Sequence, residues 1–201
     1  MQLQVIRGRD AGRHASLMEQ VWRLRYQTFV IDYGWTLPMA RDGREVDQFD
    51  GEETVHFTLC EGDRLLVYSR ILPTTGPHLL ADVYPHMASE VPRRETTLEW
   101  SRLCVPQNTR GRRPSGFHSM LRHVVAYALD RGVDELSLQG HPDWILSFER
   151  IGIPTRPIGL GAVCDGALVV PFVATISEDS VRALDHIMAE PDIRTAPAAR
   201  P

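Results

Sequence analysis

Several side chains in this sequence are charged or aromatic where the surrounding pattern calls for apolar residues. Arg25 shares one side of an apolar helical repeat with Val21 and Phe29, by four-residue spacing. Trp35 follows where that repeat ends, and Glu45, Asp47 and Asp50 come next in a polar segment. Arg70 interrupts the apolar run Leu65 to Leu72, and Glu99 and Arg102 interrupt the run Leu98 to Val105. A lone charge is costly to bury, so charges inside such strands are expected to be paired. Arginine forks match carboxylates in fixed geometry, a carboxylate can act as a general base, and an indole offers a face to a cation. Taken singly, each residue has a plainer reading. Arg70 reads as a solvent-facing strand residue and Glu99 with Arg102 as a structural ion pair. Asp47 and Asp50 read as loop acids or a weak calcium site, and Arg25 as a snorkelling side chain. Ser101 lies beside Glu99, but no nucleophile elbow surrounds it. The joint spacing carries more weight than any member.

The elements that must position this set alternate between strands and helices. Residues 2–6 read as a strand, and the apolar spacing of Leu17, Met18, Val21, Leu24 and Phe29 predicts a helix over 15–31. The segment 36–53, rich in acids and turn formers, is expected to be a long ordered loop, a length that usually marks function or disorder. Strands near 55–60 and 64–72 join through Gly62-Asp63. Residues 78–97 are irregular, with one helical turn near 79–83. A buried strand over 98–105 precedes a basic loop, 106–116. A helix over 117–131 closes on Gly132. A strand over 135–139, a helix near 142–150, strands near 153–163 and 167–176, and a last helix over 178–189 complete the pattern. The expected fold class is α/β (α+β), a single domain over 1–190 built on one central sheet. The tail 191–201 is expected to be disordered.

Composition narrows the classes. The chain has 201 residues, 43% of them hydrophobic and 24% charged, as in ordinary globular proteins. A net charge of −4 gives no general reason to expect nucleic-acid binding. Cys60, Cys104 and Cys164 are odd in number, lack metal-ligand spacing and sit in apolar stretches, so buried reduced thiols in a reducing cytoplasm are expected. No signal peptide is visible. The longest apolar stretch, 167–176, is too short to span a bilayer and contains Pro171. No metal constellation exists, and His118 and His141 stand alone.

In order along the chain, these residues resemble the acyl-homoserine-lactone synthases, the autoinducer synthases of bacterial quorum sensing. LRYQTFVIDYGW supplies Arg25, Phe29 and Trp35, and GREVDQFD supplies Glu45, Asp47 and Asp50. SRILPTTGPHLLADVYPHM supplies Arg70, Pro73, Thr74, Thr75 and Tyr84, and EWSRLCV supplies Glu99, Trp100, Ser101 and Arg102. The resemblance is strong over about 20–105 and general beyond. Tyr68-Ser69 stands where a Gly is common, Tyr33 where a basic residue is, and Tyr84 where a Phe is.

The resemblance implies an N-acetyltransferase-like fold, a twisted mixed sheet splayed into a V and flanked by helices. It implies acylation of S-adenosylmethionine by an acyl carrier protein or coenzyme A thioester, then lactone closure with loss of methylthioadenosine. Arg25, Phe29, Trp35, Asp47 and Asp50 then serve the S-adenosylmethionine side. Glu99, Arg70 and Arg102 form the catalytic group, with Glu99 as base and a backbone N–H near Leu103 to Val105 as oxyanion donor. Arg110, Arg112, Arg113 and Val105 fall on the phosphopantetheine side, where a helix N-terminus can meet phosphate; the three arginines read equally as a solvated basic loop. Leu138, Trp144 and Phe148, with Met120, Leu121 and Ile145, are candidates for the acyl pocket or for the core. No cofactor is implied, since both small molecules are substrates, and the expected state is a monomer with neither nucleic-acid nor membrane partners. The competing readings are an N-acyltransferase using an acyl-coenzyme A on another amine, and a non-catalytic binding module.

Overall fold

The apolar runs around Arg70 and Glu99 become the two middle strands of a mixed sheet. The structure is a computed structural model that describes residues 1–105 and 116–189. Its strands are β1 (Gln2–Arg7), β2 (Val55–Glu61), β3 (Arg64–Pro73), β4 (Thr97–Cys104), β5 (Glu135–Gly140), β6 (Thr155–Pro157), β7 (Ala162–Cys164) and β8 (Ala167–Thr175). The helices are α1 (Ala15–Arg25), α2 (Leu79–Asp82), α3 (Gly116–Leu129), α4 (Asp143–Ile151) and α5 (Glu178–Ala189). Strand order is β1-β2-β3-β4-β5-β8-β6, with β7 paired to β8. Every pairing is antiparallel except β4 with β5.

Both faces of the central strands are covered, which explains their near-continuous apolar sequences. Phe57, Leu59, Val67, Ile71 and Trp100 face α3, whose Met120, Leu121, Val124 and Val125 are buried against them. On the other face, Met18 and Val21 of α1 pack with Cys60, Leu65, Tyr68 and Cys104. Arg70 faces this second layer, not solvent, and is fully buried. That overturns its plainest reading, because a strand covered on both sides has no solvent face to offer.

Two irregularities shape the site. The parallel pairing of β4 with β5 covers only Thr97, Leu98 and Glu99 against Glu135, Leu136 and Ser137. Beyond Glu99 the two strands part, and the sheet opens into a V. Between Tyr68↔Cys104 and Arg70↔Ser101 the register of β3 with β4 also shifts by one residue. Arg102 sits in this bulge with φ at 55°, in the left-handed region where a non-glycine residue is strained.

Local differences from the sequence reading have local causes. The expected helix over 15–31 is α-helical only to Arg25 and then π-helical from Tyr26 to Asp32, a widening often found at functional sites. A 3-10 helix, Gly8–His14, precedes it. The expected strand over 153–163 is two short strands, because Pro157, Gly159 and Gly161 break the run. Cys164 is only half-buried, unlike Cys60 and Cys104. The arginines Arg110, Arg112 and Arg113 and the tail 191–201 lie outside the described residues.

Candidate active site

The charged set forms one neutral lattice of three arginines and three carboxylates. Arg25 Nε donates to Glu45 Oε2 at 2.5 Å, and its Nη1 reaches both Asp50 oxygens at 2.8 and 2.9 Å. Arg70 Nη1 donates to Asp47 Oδ1 at 2.5 Å and to Asp50 Oδ1 at 2.9 Å, while Nη2 reaches Asp47 Oδ2 at 2.9 Å. Arg102 meets Glu45 through Nε and Nη2, both at 3.1 Å, and Asp47 through Nη2 at 2.9 Å. The side chains of Arg25 and Arg70 are fully buried, and that of Arg102 is 9% exposed. Charges this deep persist only when paired and hydrogen-bonded. Burial by itself would raise the Asp50 carboxyl, but the charges of Arg25 and Arg70 overcome it and hold the group well below the ordinary carboxylate range.

The lattice explains the long loop. The segment 33–54 has little regular structure, yet its acids are tied to α1, β3 and β4. The loop also anchors through Glu45 N–H on the Trp22 carbonyl and Asp47 N–H on Asp50 Oδ2. Because the oxygens of Asp47 and Asp50 are taken up by guanidinium groups, the acids orient the arginines; they do not present a free anionic face or a calcium site. Arg25 does not snorkel, and Glu99 and Arg102 do not pair with each other. The bulge turns Arg102 toward Glu45 and lays its guanidinium 5.3 Å from the Phe29 ring centre.

Glu99 has a separate environment. Its Oε1 accepts from Leu79 N–H and its Oε2 from Leu80 N–H, each at 2.9 Å, at the first turn of α2. Gln139 Nε2 donates to Oε2 at 3.2 Å. Burial pushes the Glu99 pKa up, and the two backbone N–H groups oppose that rise. A fully buried carboxyl shifted upward fits a general acid or base. Ser101 Oγ accepts from Arg70 Nε at 3.2 Å, which gives it a positioning contact and no activating base.

A cavity of about 550 Å³ fills the opening between β4 and β5. One end is aromatic: Phe29 and Trp35 stack at 5.2 Å, with Tyr33 edge-on to Phe29 at 6.0 Å. Ser101, Arg102, Leu103 and Gln139 line the middle. Leu138, Trp144 and Phe172 line the other end. A hydrogen bond, Thr36 N–H to Asp165 Oδ2 at 3.2 Å, joins two lining segments, the first-helix exit and the β7–β8 turn.

Of the residues singled out in the sequence, Phe29, Trp35, Arg102, Leu138 and Trp144 line this cavity. Arg25, Asp47, Asp50 and Arg70 lie beneath it as the lattice, and Glu99 lies behind its partners Leu79 and Gln139. Phe148, Met120 and Leu121 are fully buried core residues on the α3 side and do not line it. Ile145 packs against the same core, and Val105 follows β4 half-buried, outside the lining. Gln139, Tyr84 and Cys164 are lining residues not assigned to the site from sequence. For Gln139 no local signal marks it, because β5 reads ELSLQG and alternates polar with apolar residues. Among the described residues, no cluster of His, Cys, Asp or Glu could hold a metal, and no helix is long and apolar enough to cross a membrane.

The family model described as "Autoinducer synthase" matches residues 10–184. The chain belongs to the autoinducer synthase family. Among similar autoinducer synthases is the isovaleryl-homoserine lactone synthase of Bradyrhizobium diazoefficiens, 31% identical over 183 residues that cover 90% of this chain and 82% of that protein. Among solved structures, the coenzyme A-dependent acyl-homoserine lactone synthase BjaI, with S-adenosylmethionine and isopentyl-coenzyme A, superposes with a TM-score of 0.85 at 28% identity, over 95% of this chain and 90% of that one. Escherichia coli ElaA, at 14% identity and a TM-score of 0.63 over 86% of this chain and 99% of its own, shares the fold alone. This autoinducer synthase therefore has the N-acetyltransferase-like architecture expected from its sequence, with the cavity in the V between β4 and β5.

Proposed function

We propose that this acyltransferase binds S-adenosylmethionine at the aromatic end of the cavity and the acyl group at the Leu138–Trp144 end. The observation that carries this reading is the continuity of the cavity across the β4–β5 opening, with Arg102 between its two ends. Phe29 and Trp35 offer ring faces to the sulfonium or the adenine. Arg102, the lattice member that lines the cavity, meets the substrate carboxylate, while Arg25 and Arg70 hold Glu45, Asp47 and Asp50 so that Arg102 keeps its direction.

The reaction follows from these placements. Glu99 takes a proton from the amine of S-adenosylmethionine, through one water that takes the place of Gln139 Nε2 on Oε2. The amine nitrogen bonds to the thioester carbonyl carbon. Backbone N–H groups of β4 near Leu103, released from pairing where the strands part, stabilise the oxyanion. The C–S bond breaks and the thiolate leaves with a proton. The methionine carboxylate then attacks the carbon next to the sulfonium, closing the lactone and releasing methylthioadenosine. No cofactor is needed, because both small molecules are consumed.

The likeness to a coenzyme A-dependent synthase supports acyl-coenzyme A as donor. The same reading has the protein working as a cytoplasmic monomer. The test is purified protein with S-adenosylmethionine and matched coenzyme A and carrier-protein thioesters, read by mass spectrometry. Acyl-homoserine lactone formed faster from the coenzyme A series is the expected outcome. Turnover confined to carrier-protein thioesters would reverse the donor assignment.

A further inference from the structure

The far side of Glu99 carries buried polar groups that the reaction above does not use. His78 is fully buried, and its Nδ1 lies 2.9 Å from the Gly76 carbonyl. A carbonyl only accepts, so Nδ1 carries the proton and Nε2 presents a lone pair. Among the described residues that Nε2 has no hydrogen-bond partner, and neither does the buried Ser137 Oγ. Both atoms belong to the surroundings of Glu99. His78 immediately precedes Leu79, whose N–H binds Glu99 Oε1. Ser137 is the register partner of Glu99 in the parallel pair, so their side chains share one face of the sheet.

The hydrogen-bond inventory here is complementary. Glu99 Oε1 accepts once and Oε2 twice, and a carboxylate has about four acceptor sites. Glu99 and His78 Nε2 each want one donor, and the Ser137 hydroxyl wants an acceptor. One water molecule has the two donors and the acceptor that these groups call for, and buried waters typically make about three such bonds.

The chemistry gives this arrangement a use. An ammonium nitrogen that becomes an amide nitrogen loses two protons. One leaves on the thiol sulfur as the C–S bond breaks. The other must be held until products depart, and Glu99 must be a carboxylate again for the next cycle.

We propose that Glu99, His78 and Ser137 hold a buried water molecule, and that His78 Nε2 stores through it the proton Glu99 takes from the substrate amine. The proton passes from the Glu99 carboxyl to the water, and from the water to Nε2, while Nδ1–H stays on the Gly76 carbonyl. The imidazolium so formed returns its proton to solvent once the products have left. His78 is thus a positioning and proton-storing residue acting through Glu99, and the proposal rests on the reading of Glu99 as base.

Nitrogen-15 NMR of the histidines in the native protein, with His78 assigned through His78→Asn, is the first test. The expected tautomer carries its proton on Nδ1; a proton on Nε2 overturns the proposal. Kinetics supply the second. His78→Asn keeps a donor for Gly76 and removes the acceptor, so kcat should fall by roughly ten- to a hundredfold, at or below the usual range for acid–base groups, with KM for both substrates unchanged. His78→Gln can hold the water but cannot store a proton, and should not restore kcat; wild-type kcat in either variant overturns the proposal. Glu99→Gln separates the two levels. If it turns over normally, the reading of Glu99 fails. If it is inactive while His78→Asn is fully active, only the role of His78 fails.

Discussion

Arg70 shows how a side chain can change meaning between sequence and structure. From its strand it reads as an exposed residue, and from its motif as a catalytic one, so that Arg70→Ala would abolish product and leave a sound fold. Its geometry makes it a bridge between Asp47 and Asp50, buried on every side. Arg70→Ala should therefore cost about 3–5 kcal/mol, because it leaves two arginines against three buried carboxylates, and urea unfolding will read this as a lowered midpoint. Arg70→Lys should recover only part of the loss, since a single ammonium cannot reproduce the fork. His56 carries a second residue-scale prediction. It lies opposite Arg70 in the β2–β3 register and its Nδ1 is 2.8 Å from the Tyr68 hydroxyl. Burial depresses its pKa to about 4. The unfolded chain takes up this proton below pH of about 6.5 and the folded chain only below about 4, so stability falls as pH drops through that window, by about 3 kcal/mol. A His56→Gln variant measured by denaturant unfolding from pH 7 to 4 should lose that slope. An unchanged slope would place the acid sensitivity elsewhere.

At the scale of elements, the opening between β4 and β5 creates the cavity, and the packing of α4 sets its acyl end. A Cβ added to Gly140 would lie 2.8 Å from Trp144 Cδ1, so the indole rests directly on the strand. Gly140→Ala should push the ring into the cavity and raise KM for the acyl donor severalfold, with KM for S-adenosylmethionine unchanged. Initial rates with each substrate varied in turn will show it, and an equal rise in both would point to a general distortion. The strands themselves were legible because their apolar runs are bounded by Gly62-Asp63, Pro73 and the Gly132 stop. Other features depend on contacts no local pattern contains. The π-helical stretch after Arg25 is one, and the bulge at Arg102 is another. Gln139 finds Glu99 across 40 residues of sequence, through a parallel pairing only three residues long. The break between β6 and β7 was marked by Pro157, Gly159 and Gly161, and was overlooked because the flanking residues are apolar.

For the molecule as a whole, the division of labour follows the chain. The segments up to β4 build the neutral lattice and the aromatic wall and supply Glu99 itself, and their charged residues were visible because they break apolar patterns. The segments from β5 onward supply Leu138, Trp144 and Phe172, which are ordinary core types; only their position in the V separates Trp144, which lines the cavity, from Phe148, which does not. The central claim is that both halves serve one reaction at one cavity. Its most direct test is to incubate the purified protein with S-adenosylmethionine and a broad series of acyl-coenzyme A and acyl-carrier thioesters, and to quantify both products by mass spectrometry. Acyl-homoserine lactone and methylthioadenosine should accumulate in equal amounts, and Glu99→Gln should lower both together by at least a hundredfold, as expected for loss of a general base. Acylation of other amines without methylthioadenosine, or no turnover across the series, would contradict the account.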